Sequence, residues 1–212
     1  MTPAIFDLGG VLLEYEPRRL YRKFFPDPEE MEQFLEQVVT SEWNDRLDCG
    51  WSFAEGVAEL VARHPAHEEA IRAFKERWLE MIGDPIHANV IVLGELHSAG
   101  VPLYALSNFS AETWPLARPL FPFLERFDGI LISGEVGFGK PDPAFFRLLA
   151  RRHGFHLEGA VFVDDNPRNF QAALDLGMKA IHYQGDPLRL RNRLGEFYPF
   201  LNPGVSGTPQ GG

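Results

Sequence analysis

The chain has a single cysteine, Cys49, in 212 residues. No internal disulfide is possible, so it suits a reducing compartment and is not a stapled secreted module. It also lacks any apolar run of the ~18 residues that a membrane-spanning helix needs. Met1 to Asp7 leave no room for the charged and apolar regions of a secretory leader, and the expected location is cytoplasmic. Basic charge is scarce: 20 Lys and Arg face 30 Asp and Glu, for a net charge of −10 without a basic cluster. Nucleic acid and anionic membranes are therefore not expected partners. The paired histidines, His64 with His67 and His153 with His156, come without a third ligand, which argues against a zinc site. No G-x-S-x-G string is present, and that disfavours a serine hydrolase. A small molecule is the expected partner. If it is anionic, it needs local cations in this acidic protein.

Core material is ample, with 45% hydrophobic residues, 18 Phe and 4 Trp. Short apolar runs at Ala4 to Phe6, Leu103 to Leu106, Ile130 to Ile132, Val161 to Val163 and Ala180 to Tyr183 predict buried strands. Helix patterns separate the later ones, each opened by Asp-Pro or Asn-Pro and closed by Gly: Asp84-Pro85 to Gly100, Asp142-Pro143 to Gly154, Asn166-Pro167 to Gly177, and Asp186-Pro187 to Gly195. This alternation predicts an α/β fold with a parallel sheet. Residues 15–83 show helical periodicity without a convincing strand, which predicts an inserted helical domain. The core is then 1–14 plus 84–200, and 201–212, rich in Gly and Pro, is expected to be a flexible tail. A monomer or homodimer is expected.

The predicted strands end in Asp7, Ser107, Ser133 and Asp164, the last followed by Asp165. On one parallel sheet these meet at the carboxyl edge, where open α/β folds place their chemistry. Asp7 can attack phosphorus or carbon to form a covalent intermediate. If the target is phosphate, Asp7 with Asp164 and Asp165 offers the hard oxygen donors that Mg²⁺ prefers. Ser107 and Asn108 supply a hydroxyl and an amide to an anion, and Lys140 in GEVGFGKPDP supplies a charge to clamp it. Gly134 to Lys140 also reads GxxxxGK, but Pro141 stands where a P-loop needs Ser or Thr.

As an ordered set, IFDLGGVLL, YALSN, GKPDP and VFVDDNPRN resemble the motifs of the haloacid dehalogenase superfamily, most of whose members are Mg²⁺-dependent phosphatases. The resemblance implies a Rossmann-like three-layer core with a small α-helical cap inserted after the first strand. It implies Asp7 as nucleophile, Ser107 and Lys140 in the second and third motifs, and a metal held by Asp7, the Gly9 carbonyl, Asp164 and Asp165. Gly9 departs from the D-x-D pattern, whose second Asp is the general acid and base. L-2-haloacid dehalogenases also lack that Asp, but they lack the acidic pair as well. Phosphatases reading D-L-G-[NG]-V, similar to glucose-1-phosphate phosphatases, match best. An anomeric leaving group is acidic enough that water could protonate it. The expected substrate is a small phosphorylated metabolite, with sugar phosphates as one class. The alternatives are a dehalogenase, a phosphomutase, or a catalytically weak phosphate-binding member. Of the cap residues, Trp43 and Arg46 in SEWNDRLDCG are the expected substrate contacts, and cap core plus a solvated charge is the competing reading.

Overall fold

Strict alternation of side chains on the central strands divides the apolar residues between two packing layers. A computed structural model describes residues 1–202. It contains β1 (Ala4–Phe6), β2 (Leu13–Tyr15), β3 (Ile82–Pro85), β4 (Leu103–Ser107), β5 (Gly129–Ile132), β6 (Val161–Asp164) and β7 (Lys179–His182). Five of these form one sheet in the order β5-β4-β1-β6-β7, all parallel. Ala4 and Phe6 of β1, Leu103 and Ala105 of β4, and Val161 and Val163 of β6 face one layer. Ile5, Tyr104, Leu106 and Phe162 face the other. Strands buried on both faces have no polar side, which is why they read as continuous apolar runs in the sequence.

The helices are α1 (Arg18–Tyr21), α2 (Pro28–Gln37), α3 (Ser41–Asp48), α4 (Phe53–Arg63), α5 (Glu68–Glu76), α6 (His87–Ser98), α7 (Trp114–Ala117), α8 (Pro143–His153), α9 (Pro167–Asp175) and α10 (Pro187–Gly195). Val92, Leu93 and Leu96 of α6 and Leu190 and Leu194 of α10 cover the first face, whereas Phe145, Phe146 and Leu149 of α8 and Ala173 of α9 cover the second. The result is an α/β/α sandwich. Among the described residues, no helix is long and apolar enough to cross a membrane.

Three of the four expected Asp-Pro or Asn-Pro caps form. Asp142 accepts from Ala144 N, Asn166 from Arg168 N, and Asp186 from Leu188 N and Arg189 N. Asp84-Pro85 does not cap a helix. These residues lie in β3, which pairs antiparallel with β2, and α6 begins only at His87. The interval read as purely helical thus has a two-stranded ribbon at its neck, with α1 to α5 between the two strands. Both ribbon strands are short, and Gly83 and Pro85 mask the second one. Most of the expected tail lies outside the described residues. Its first residue, Leu201, is buried in a 3₁₀ turn, so ordered structure continues past residue 200.

Candidate active site

The carboxyl ends of β1, β4 and β6 meet beneath the helical insertion. Asp7 follows β1, and its N–H donates to Val163 O of β6 at 2.9 Å. Its Oδ1 accepts from Leu8 N at 2.7 Å, leaving Oδ2 to Lys140 Nζ, also at 2.7 Å. The same ammonium reaches Asp164 Oδ2 at 2.7 Å. Lys140 is carried by the loop ahead of α8, and two hydrogen bonds fix that loop to the end of β4. Lys140 N donates to Asn108 Oδ1 and Asn108 Nδ2 donates to Lys140 O, both at 2.8 Å. Gly139 permits this approach, since a Cβ there would lie 2.4 Å from Asn108 Oδ1. Asp164 Oδ1 accepts from Asn166 N at 2.8 Å and from Asn169 Nδ2 at 3.0 Å.

Oxygens of Asp7, Asp164 and Asp165 lie within 4.8 Å of one another. Three carboxylates, Asp7 and Asp164 buried and Asp165 exposed, thus meet one ammonium, which leaves an excess of two formal negative charges. Burial pushes the Asp7 carboxyl up to about 7; Lys140 pulls it down, while Asp164 and Asp165 push it further up. Asp165 is also raised, first by burial and then by Asp164. For Lys140, burial lowers the ammonium, but Asp164 and Asp7 outweigh it and the net shift is upward. Such a set of hard oxygen donors with two uncompensated charges fits a divalent cation. The Gly9 carbonyl accepts no backbone hydrogen bond among the described residues and stays free to join it. Gly10, at φ 70°, turns the chain beside Asp165, where a Cβ would come within 2.2 Å of Oδ2.

A cavity of about 240 Å³ opens from this cluster and is lined by Asp7, Gly9, Ser107, Asn108 and Asp165. The insertion and its neck close the far side with Tyr15, Asn44, Asp48, Trp78 and Ile82. The two expected contacts from the insertion are not among these. Trp43 is buried in the insertion's own core, edge-on to Phe74, with Nε1 donating to Gly56 O at 3.2 Å. Arg46 lies over the Trp51 ring at 3.6 Å and pairs with Glu59 on the exposed side of α3. Asn44 and Asp48, spaced i and i+4 on the same helix, face the cavity instead. That polar pair beside the buried Trp43 and Leu47 is the signal that could have found them.

A haloacid dehalogenase-like hydrolase family model matches residues 4–177, and with them all four site segments. The chain belongs to the haloacid dehalogenase-like hydrolases. A sesquiterpene phosphatase of Aspergillus oryzae is 26% identical over 84% of this chain and 88% of its own length. A phosphoserine phosphatase of Thermus thermophilus is 45% identical over 90 residues, 42% of this chain, and the match spans 36% of that protein. Among solved structures, a haloacid dehalogenase family enzyme of Bacteroides thetaiotaomicron in complex with magnesium and inorganic phosphate superposes with a TM-score of 0.63 at 20% identity. That match covers 88% of this chain and 96% of the other. The structural likeness establishes the shared fold, and the two relatives named are themselves phosphatases.

Proposed function

We propose that this hydrolase is a Mg²⁺-dependent phosphatase that cleaves a small phosphorylated metabolite through an aspartyl-phosphate intermediate. The observation that carries the reading is the cluster itself: a buried carboxylate, Asp7, in a group whose two excess negative charges a phosphate substrate would add to unless a divalent cation balanced them. Asp7, the Gly9 carbonyl, Asp164 and Asp165 would hold the ion, which supplies charge neutralisation and polarises the phosphoryl oxygens when bound. Asp7 Oδ2 is the attacking atom. Lys140 and the Ser107-Asn108 edge bind the phosphate oxygens, and the Asn108 hydrogen bonds hold Lys140 in place. The helices between β2 and β3 act as the cap that closes the site from the other side. A metal-free dehalogenase is disfavoured, because Asp165 beside Asp164 would repel a carboxylate substrate with nothing to balance it.

Gly9 in a D-L-G-G-V motif supports the branch similar to glucose-1-phosphate phosphatases and makes anomeric sugar phosphates the first substrates to try. Phosphate release from p-nitrophenyl phosphate and a sugar phosphate panel, with Mg²⁺ and with EDTA, tests the reading. Halide release from 2-chloropropionate is measured in parallel. Mg²⁺-dependent phosphate release that disappears in Asp7→Asn, by on the order of 10⁴-fold or more, is the expected result. EDTA-insensitive halide release would overturn it. Retained Mg²⁺ and phosphate binding without turnover would instead identify a phosphate-binding protein.

A further inference from the structure

Gly9 removes an acid from a place where there is room for one. A Cβ built on Gly9 meets nothing within 4 Å, and its backbone is not in the left-handed region, so neither crowding nor strain demands glycine there. Outside the cluster of Asp7, Asp164 and Asp165, one other carboxyl lines the cavity among the described residues, and it is Asp48 in the last turn of α3. Asn44 Nδ2 donates to Asp48 Oδ2 at 2.8 Å. Ser133 Oγ donates to the Asp48 backbone carbonyl and accepts from Phe109 N at 2.9 Å. The end of α3 is thereby pinned to the loop that follows Ser107 and Asn108. The Asp48 carboxyl faces the same space as Asp7 because two elements hold it there.

We propose that Asp48 is the proton donor and acceptor of the reaction, supplying from the helical insertion what a second acid at position 9 would otherwise supply. The inference rests on the phosphatase reading. In the first half-reaction Asp7 Oδ2 bonds to phosphorus and the ester P–O bond breaks. Its electron pair stays on the departing oxygen, which takes the Asp48 proton and leaves as the alcohol. In the second half-reaction the Asp48 carboxylate takes a proton from the attacking water. The P–O bond to Asp7 breaks, inorganic phosphate leaves, and both side chains return to their starting states. The sum is ester plus water to alcohol plus phosphate.

The groups facing Asp48 suit that cycle. Burial first, then Asp45 on the same helix and Asp7 across the cavity, push the carboxyl up to about 7, while Asn44 and the Ser110 backbone pull the other way. Tyr15 from β2 and Cys49 from the next position also face it, and both are held in their neutral forms at neutral pH by burial and by the Asp48 charge. A carboxyl that titrates near neutrality can both give and receive a proton there, and such catalysis contributes ~10²- to 10⁴-fold.

Leaving-group dependence separates this role from a structural one. kcat/KM is measured for glycerol 2-phosphate, whose alkoxide must be protonated, and for p-nitrophenyl phosphate, whose phenolate need not be. Asp48→Asn is expected to lower the first by ~10²- to 10⁴-fold and the second by less than ~10-fold. A burst of p-nitrophenolate should appear as the phosphorylated enzyme accumulates. The ratio of the two constants within one preparation is independent of how much protein is folded. Gly9→Asp in the Asp48→Asn background should restore glycerol 2-phosphate hydrolysis. Equal proportional losses on both esters, or no loss on glycerol 2-phosphate, overturn the proposal and leave water as the donor. A wild-type protein inactive on both esters overturns the phosphatase reading and this proposal with it.

Discussion

Replacing Lys140 by methionine tests how the acidic cluster is held together. The Lys140 side chain is fully buried and sits 2.7 Å from both Asp7 and Asp164. Methionine keeps most of its length and apolar stem but leaves the carboxylates without their counter-charge. Breaking a buried ion pair from one side costs about 3 to 5 kcal/mol, because the remaining charge stays desolvated. For a chain of this size each kcal/mol moves the melting temperature by about 2 to 4 °C, so a fall of about 6 to 20 °C is expected in EDTA. The effect carries a pH signature. Asp7 titrates near 3.8 when unfolded and about 7 when folded, so its folded state holds the proton more tightly. This carboxyl costs no stability below 3.8, and its cost grows as pH rises toward 7. Without Lys140 the folded carboxyl moves higher still, so the gap between variant and wild type should be wider at pH 8 than at pH 5. Added Mg²⁺ should narrow it by binding the folded state alone. Thermal melts at both pH values, with and without Mg²⁺, are the assay. A gap under about 3 °C at pH 8, or one wider at pH 5, would refute the reasoning.

Four further substitutions probe the frame around the cluster. Trp43→Ala should lower stability by about 3 to 5 kcal/mol in urea melts, since it empties a buried site against Phe74 and not a substrate contact. Gly10→Ala should destabilise by more than about 1 kcal/mol and weaken Mg²⁺ binding in calorimetry, because of its φ of 70° and the crowding against Asp165. Gly9→Ala, with nothing near its Cβ, should fall within about 1 kcal/mol of wild type in the same melts. Ser133→Ala should cost about 1 to 3 kcal/mol, because Phe109 N–H and the Asp48 carbonyl lose their shared partner.

The parts of this fold legible in the sequence are those decided by local chemistry repeated along the chain. The strands buried on both faces stand out as short runs of Ile, Val, Leu and Phe, and Asp142, Asn166 and Asp186 announce their helices through a cap and a following proline. Asp84-Pro85 carries the same two residues and misleads. The pairing of Tyr15 with Ile82 and of Leu13 with Pro85 decides its structure, and that pairing spans the whole insertion. Nothing within a helix-length window around Pro85 reports it.

The site divides in the same way. Asp7, Ser107 and Asp164 come together because the order β4-β1-β6 sets their strand ends side by side, so recognising the strands is enough to predict that they meet. Asn44 and Asp48 depend on how α3 is rotated against the sheet, and a helix turns by about 100° per residue. Trp43 and Asn44 are neighbours in the chain, yet one step of rotation puts the first in the insertion's core and the second at the cavity wall. Size and polarity do not set that rotation. It is set by Trp43 against Phe74, Leu47 in the core, and Ser133 holding the carbonyl end of the helix, contacts that link separate parts of the chain. The same rotation sends Arg46 toward Glu59 on the outside and Asp48 inward. Reading the insertion by residue type alone therefore selects the large polar side chains, whereas packing brings the small amide and the carboxyl to the cavity.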